Sequence, residues 1–108
     1  MNGDRTKLEQ FKELVQLDPD DPLVHYVLGS EHLKLGEHAE AVAAFRRTIE
    51  LKPDYSAAYR ELGKALAKLN REKEAIEIYQ QGRTIACEKG DLQTVKEIDV
   101  FLKRFASS

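Results

Sequence analysis

The chain has 108 residues, 42% of them hydrophobic and 33% charged, with 17 basic and 19 acidic side chains and a net charge of −2. That length bounds it to one domain, able to bury a core without a disulfide or a metal, and the composition is that of a soluble helical protein rather than a disordered one. The charge balance argues against nucleic acid as a partner, because such binders carry a strong basic excess.

The N-terminus opens into an amphipathic segment with no signal-peptide core, and no apolar run approaches the roughly 20 residues that cross a bilayer. Membrane association is therefore not expected. Cys87 is the single cysteine, so no intrachain disulfide can form and a reducing, cytoplasmic setting is the simplest home.

In chain order, residues 4–17 carry Leu8, Phe11, Leu14 and Val15 at helical spacing, with Leu17 at the margin and charged residues on the other face. Asp18-Pro19-Asp20-Asp21-Pro22 breaks this helix, and Asp21 is placed to cap the next one with Pro22 at its first position. A second helix runs from Leu23 to Leu35 and closes at Gly36 in a left-handed turn. A third spans about Ala39 to Leu51 and ends at Lys52-Pro53-Asp54. Ser56 is read as the cap of a fourth helix, and Asn70 stands where Gly36 stood. The fifth, about Glu72 to Glu88, has Cys87 where the previous unit has Pro53, so it should run longer. Gly90-Asp91 supplies a stop and a new cap. The last helix, Leu92 to Phe105, shows Leu92, Val95, Ile98, Leu102 and Phe105 on one stripe, with Val100 and Phe101 off it. No strand-like alternation occurs, so the chain reads as all helix.

The helices repeat. Leu28, Gly29, Ala41, Val42 and Phe45 return 34 positions later as Leu62, Gly63, Ala75, Ile76 and Tyr79. Two antiparallel helices need small residues where their backbones approach, here Gly29 with Ala41 and Gly63 with Ala75. Phe45 and Tyr79 are then the large residues expected to fill the gap to the neighbouring pair.

This pattern resembles the tetratricopeptide repeat, with units at 22–55 and 56–89. Residues 4–17 look like the second helix of an earlier unit, and 91–105 like the solvating helix that closes such arrays. The match departs from the family at His25 and His32, at Thr48 and Gly82, and at Cys87. The resemblance implies one all-α domain over 1–108, its antiparallel helix pairs stacked as a short right-handed superhelix with a C-terminal capping helix. With methionine first and both ends covered, the chain is similar to the small free-standing bacterial proteins of this family, a fragment of a longer array being the alternative.

The resemblance also implies a concave groove that binds a protein or peptide partner. Its positions are Leu23, Tyr26, Ser30, Leu33 and Lys34 in the first unit, and Ala57, Arg60, Lys64, Ala67 and Lys68 in the second. Their spacings independently place each set on one helical face. Leu23, Tyr26 and Leu33 form an apolar stripe, while Arg60, Lys64 and Lys68 form a basic row with Lys34 beside it. Arg60 and Lys64 resemble the cation pair with which chaperone-binding members clamp a C-terminal carboxylate. Tyr26 and Ser30 stand where that clamp has lysine and asparagine. The expected ligand is a segment with acidic and apolar side chains, carboxylates pairing with Arg60 and Lys64. Two other readings stay open: the row is an ordinary solvated face, or the chain is a monomer or weak homodimer associating through Leu23, Tyr26 and Leu33 or through Val100 and Phe101.

Chemistry finds little footing. His25 and His32 are seven apart, too far for one ion to bridge, and are expected as partly buried core residues. Cys87 has no activating partner and is expected as a buried or half-buried thiol. Gly29 and Gly63 are isolated in helices and form no phosphate loop, and no nucleophilic constellation is suggested. The chain is read as non-catalytic, without metal or cofactor.

Overall fold

The computed structural model describes the backbone of residues 2–107 and the side chains of residues 6–106. Its elements are α1 (Asn2–Leu17), α2 (Pro22–Lys34), α3 (His38–Leu51), α4 (Ser56–Lys68), α5 (Glu72–Lys89) and α6 (Leu92–Ser107). α2 pairs with α3 and α4 with α5; α3 packs on α4, α1 lies against α2, and α6 closes the stack against α5 and α4. The architecture is all-α, stacked helix pairs with a C-terminal capping helix. Among the described residues, no helix is long and apolar enough to cross a membrane.

Local chemistry sets the ends of these helices. Asp21 is extended and its Oδ1 accepts from the Leu23 amide at 2.9 Å, ahead of Pro22 at the first turn. Gly36, Asn70 and Gly90 all take positive φ, at 77°, 61° and 72°. After each, the next amide bonds back to the carbonyl five residues earlier: Glu37 to His32, Arg71 to Leu66, Asp91 to Ala86. This closure satisfies otherwise orphaned carbonyls and turns the chain sharply into the following helix.

Ser56 does not cap α4. It lies inside the first turn, and its Oγ donates instead to Asp91 Oδ2 at 2.7 Å, tying α4 to the start of α6. Asp91 Oδ1 also accepts from the Thr94 amide at 3.2 Å. Hydrogen bonds from Thr94 and Ser56 hold the Asp91 carboxyl below the usual carboxylate range.

The core joins Ala41, Val42 and Phe45 to Leu62, Ala65, Leu66, Ala75, Tyr79 and Ile98. Each of its large side chains contributes roughly 1.5–3 kcal/mol by leaving water. Phe45 and Tyr79 do not serve only as fillers toward the next pair. Each ring lies on the glycine of its own pair: a Cβ on Gly29 would sit 2.8 Å from Phe45, and one on Gly63 would fall closer still to Tyr79. The glycines make room for rings, with Ala41 and Ala75 buried nearby.

His25 and His32 are buried, as core positions require. His25 Nε2 lies 2.7 Å from the Pro19 carbonyl, and Tyr59, its counterpart in the next unit, donates to the Pro53 carbonyl at 2.7 Å. One tether thus anchors each first helix to the loop before it. His32 Nδ1 lies 2.9 Å from Glu37 Oε1.

Several sequence expectations are corrected. Cys87 is exposed, because α5 runs on to Lys89 and turns this residue outward beside Arg83, whose Nη1 is 3.8 Å from its Sγ. Leu14, Leu17 and Leu92 face solvent at 43%, 81% and 64% exposure, since among the described residues α1 packs against α2 alone and Leu92 starts α6 outside the packed turn. Conversely Phe101, read as off the stripe, is half-buried and stacks on Tyr79 at 5.3 Å and 8°.

Candidate functional site

The concave face is built from α2, α4 and α6, and residues one repeat apart meet across it. Tyr26, Arg60 and Thr94 are spaced by 34 and form a ladder: Arg60 Nη2 donates to the Tyr26 hydroxyl at 3.3 Å and Nη1 to Thr94 Oγ1 at 3.4 Å. Arg60 also donates to Glu61 Oε2 at 2.8 Å and to Glu97 Oε1 at 2.8 Å. Burial opposes its charge, yet the bond and charge of Glu61, with Tyr26 and Glu97 adding to them, raise its pKa overall. The Tyr26 hydroxyl is also pushed up, first by burial and then by Glu61, against the pull of Arg60.

This network explains a break in the repeat. Glu97 occupies the position held by Gly29 and Gly63, where an aromatic ring from the partner helix lies. Among the described residues no ring covers that position, and the long Glu97 side chain reaches back to Arg60. The guanidinium expected to bind a partner's carboxylate is therefore satisfied within the chain.

The other expected groove residues divide. Tyr26 stacks on Tyr55 at 5.0 Å and tilts against Phe45 at 5.7 Å, its ring part of the packing between helices. Ser30 Oγ donates to the Tyr26 carbonyl at 3.0 Å. Leu23 is 54% exposed at the start of α2, and Leu33 is half-buried against the core. Lys34 lies 3.6 Å from the buried Glu31, and Lys64 lies 3.2 Å from Glu61. Lys68 is exposed and makes no ion pair among the described residues.

Three clefts meet around Lys64. One of about 400 Å³ gathers Ser30, Leu33, Lys34, Lys64 and Lys68 with His38 and Glu61. A second, about 320 Å³, lies among Arg60, Glu61, Lys64, Glu97, Val100, Phe101 and Arg104. The third is about 480 Å³, walled by Ala67, Tyr79, Phe101 and Phe105 and rimmed by Lys64, Lys68 and Arg104. Leu23 and Tyr26 line none of these three. Arg104, Phe105 and Tyr79 are not among the site residues expected from sequence, and Phe101 is expected only as a self-association contact; the signal for the groove is that Phe101 lies one period after Ala67.

Among the described residues, no group of three or more His, Cys, Asp or Glu could hold a metal ion. The buried Tyr79 hydroxyl is raised far above the usual phenol range, mainly by desolvation, which suits a core ring rather than a reactive one.

A search of curated proteins returned no match. Among solved structures, the tetratricopeptide repeat domain protein from Salinibacter ruber is 37% identical, with a TM-score of 0.74 over 82% of this chain and 99% of that one. A Bordetella parapertussis protein is 29% identical at a TM-score of 0.82, covering 93% of this chain and 87% of the other. The TPR2B domain of yeast Sti1, solved as its pHsp70 complex, superposes at 0.85 over 91% of this chain and 78% of that domain. At 22% identity, that likeness shows the fold alone. The tetratricopeptide repeat family model matches residues 8–54 and 26–86. By that match and by its stacked helix pairs, the chain belongs to the tetratricopeptide repeat family, whose fold serves generally in protein–protein interaction.

Proposed function

We propose that the concave face binds a short segment of a partner protein carrying acidic and apolar side chains, without catalysis. Lys68 carries the reading: it makes no ion pair among the described residues, yet it stands on the rim shared by two clefts with apolar walls. An exposed ammonium beside Lys64 and Lys34 meets like charge, and a partner's carboxylates would relieve that repulsion while its apolar groups cover Leu33 and the aromatic wall. Relative to the sequence expectation, the binding centre moves from Arg60, satisfied internally, to Lys64, Lys68, Leu33 and Lys34. Ser30 lines the same cleft, while Tyr26 and Leu23 are left to packing and to an exposed edge.

Titration by fluorescence anisotropy with short peptides alternating glutamate and leucine tests this. Lys64→Glu/Lys68→Glu should weaken binding at least about tenfold, and wild-type affinity should fall as salt rises. Equal affinity for wild type and the double variant sinks the reading.

Self-association remains the second reading, favoured by Leu14, Leu17 and Leu23, which expose apolar surface at the α1–α2 end. Sedimentation across concentration decides it: a dimer dissociated by Leu17→Lys/Leu23→Lys supports this reading, and a persistent monomer removes it.

A further inference from the structure

We propose that the cleft between α4, α5 and α6 is a specificity subsite that takes one aromatic or large aliphatic side chain of the partner segment, with acidic residues on both sides of it. This rests on the groove reading above and names what that groove selects. The observations concern the walls and rim of one cleft. Its floor is a built aromatic surface, with Tyr79 stacked on Phe101 at 5.3 Å and inclined to Phe105 at 6.2 Å. Ala67 forms the α4 wall, and the volume of about 480 Å³ falls in the range that receives specific ligands.

The repeat explains why the space exists. Ala67 stands one period after Leu33, and Lys64 and Lys68 one period after Ser30 and Lys34. In the first unit, Leu33 fills this position with a branched side chain packed on the core. Alanine in the second unit withdraws that volume, leaving the half-buried Phe101 and Phe105 rings accessible beside the buried Tyr79. The first unit keeps a cleft of about 400 Å³ beside Leu33, but Phe45 does not line it, whereas Tyr79, Phe101 and Phe105 line the one beside Ala67.

The rim selects the flanks. Lys64, Lys68 and Arg104 surround the opening, and among the described residues no carboxylate lines it. Arg104 lies over the Phe101 ring with its Cζ 5.4 Å from the centroid, holding positive charge at the edge of the aromatic floor. The adjoining clefts contain Glu61, and one also contains Glu97, so their charge is mixed. An apolar side chain entering here brings its neighbours against cations, which favours glutamate or aspartate there and disfavours lysine or arginine.

The test uses the full chain and fluorescein-labelled peptides: a central Phe flanked by pairs of Glu, the same peptide with central Ala, and the Phe peptide flanked by Gln. Wild type should prefer the Phe-centred acidic peptide over the Ala-centred one by about tenfold to a hundredfold, as burial of one large apolar side chain implies. Ala67→Leu installs the residue of the first unit and should cut that preference below about threefold. The readout is the ratio of the two affinities within each variant, so a uniform loss of groove binding does not count for the subsite. Ala67→Met, a more flexible plug, gives the same comparison should Ala67→Leu lose its helical circular dichroism. Gln-flanked peptide should bind weakly to every variant. The proposal is overturned by a wild type indifferent to Phe or Ala, or by plugged variants that keep the full preference. In either case, loss of acidic-peptide binding in Lys64→Glu/Lys68→Glu leaves the groove standing and removes only the subsite. Failure of all peptides to bind overturns both. A wild-type dimer in sedimentation that Ala67→Leu dissolves assigns the cleft to a second copy and overturns the peptide occupant.

Discussion

In the first helix pair Gly29 lies under Phe45, and in the second Gly63 lies under Tyr79; His25 is tethered to the Pro19 carbonyl, and Tyr59 to that of Pro53. The buried side of the two units is thus nearly superimposable in role. On the concave side the same register carries Tyr26 against Arg60, Ser30 against Lys64, and Leu33 against Ala67. Buried positions must satisfy one packing geometry twice, because each pair stacks on its neighbour in the same way. Concave positions face solvent or the next helix and are free to diverge. One divergence serves the fold itself: Arg60, in the place of Tyr26, reaches Tyr26, Thr94 and Glu97 and locks three first helices together.

The largest expected effect separates Arg60 from the lysines beside it. Arg60→Met removes the main partner of Glu61, whose side chain is only 11% exposed, and leaves it to Lys64. We expect a loss of about 3 kcal/mol in urea unfolding, because a nearly buried carboxylate is left poorly paired. Lys68→Met should change stability by less than about 0.5 kcal/mol. Similar values for the two would mean that Arg60 is an ordinary surface cation after all.

Next in size is a comparison of the two glycines. Gly63→Ala forces a methyl onto the Tyr79 ring and should lose about 2 kcal/mol, the helix-propensity gain of about 1 kcal/mol offsetting part of the clash. Gly29→Ala meets Phe45 less closely and should lose about 1 kcal/mol or less. Thermal midpoints ranked the other way would show that Phe45, not Tyr79, is the more tightly held ring.

The smallest effect probes the joint that only the second unit has. Ser56→Ala removes the bond to Asp91 and should lose about 1 kcal/mol at pH 7. Because the folded Asp91 pKa is depressed, its contribution is present above the unfolded value of about 4 and is lost as pH falls below it. The gap between wild type and Ser56→Ala should therefore shrink in unfolding measured below about pH 4. A gap independent of pH would assign the loss to Ser56 packing rather than to Asp91.

Much of the fold was legible because its signals are local or periodic. The turns at Gly36, Asn70 and Gly90 follow from residues that tolerate positive φ, and the Asp21-Pro22 start from capping chemistry. The candidate site was less legible. Periodicity places Arg60, Lys64 and Lys68 on one ridge but says nothing of which carboxylates come near. Glu97 pairs with Arg60 and Glu74 with Arg46 from other elements, although Glu74 also meets Arg71 three residues away. Ser56 shows the same limit, its hydroxyl drawn from the helix start to Asp91 on another element.

By itself, then, the sequence determined the helices, their ends and the pairing of like units, because 34-residue spacing and turn chemistry act through the chain. It also named the ridge where cations gather. Only the tertiary structure decided which of those cations are available. Docking α6 against α4 and α5 brings Glu97 to Arg60 and carries Phe101 and Phe105 to Tyr79, leaving an aromatic cleft beside Ala67 with Lys68 on its rim. Those contacts join residues far apart in the chain, and their charges and shapes act only once the stack has formed.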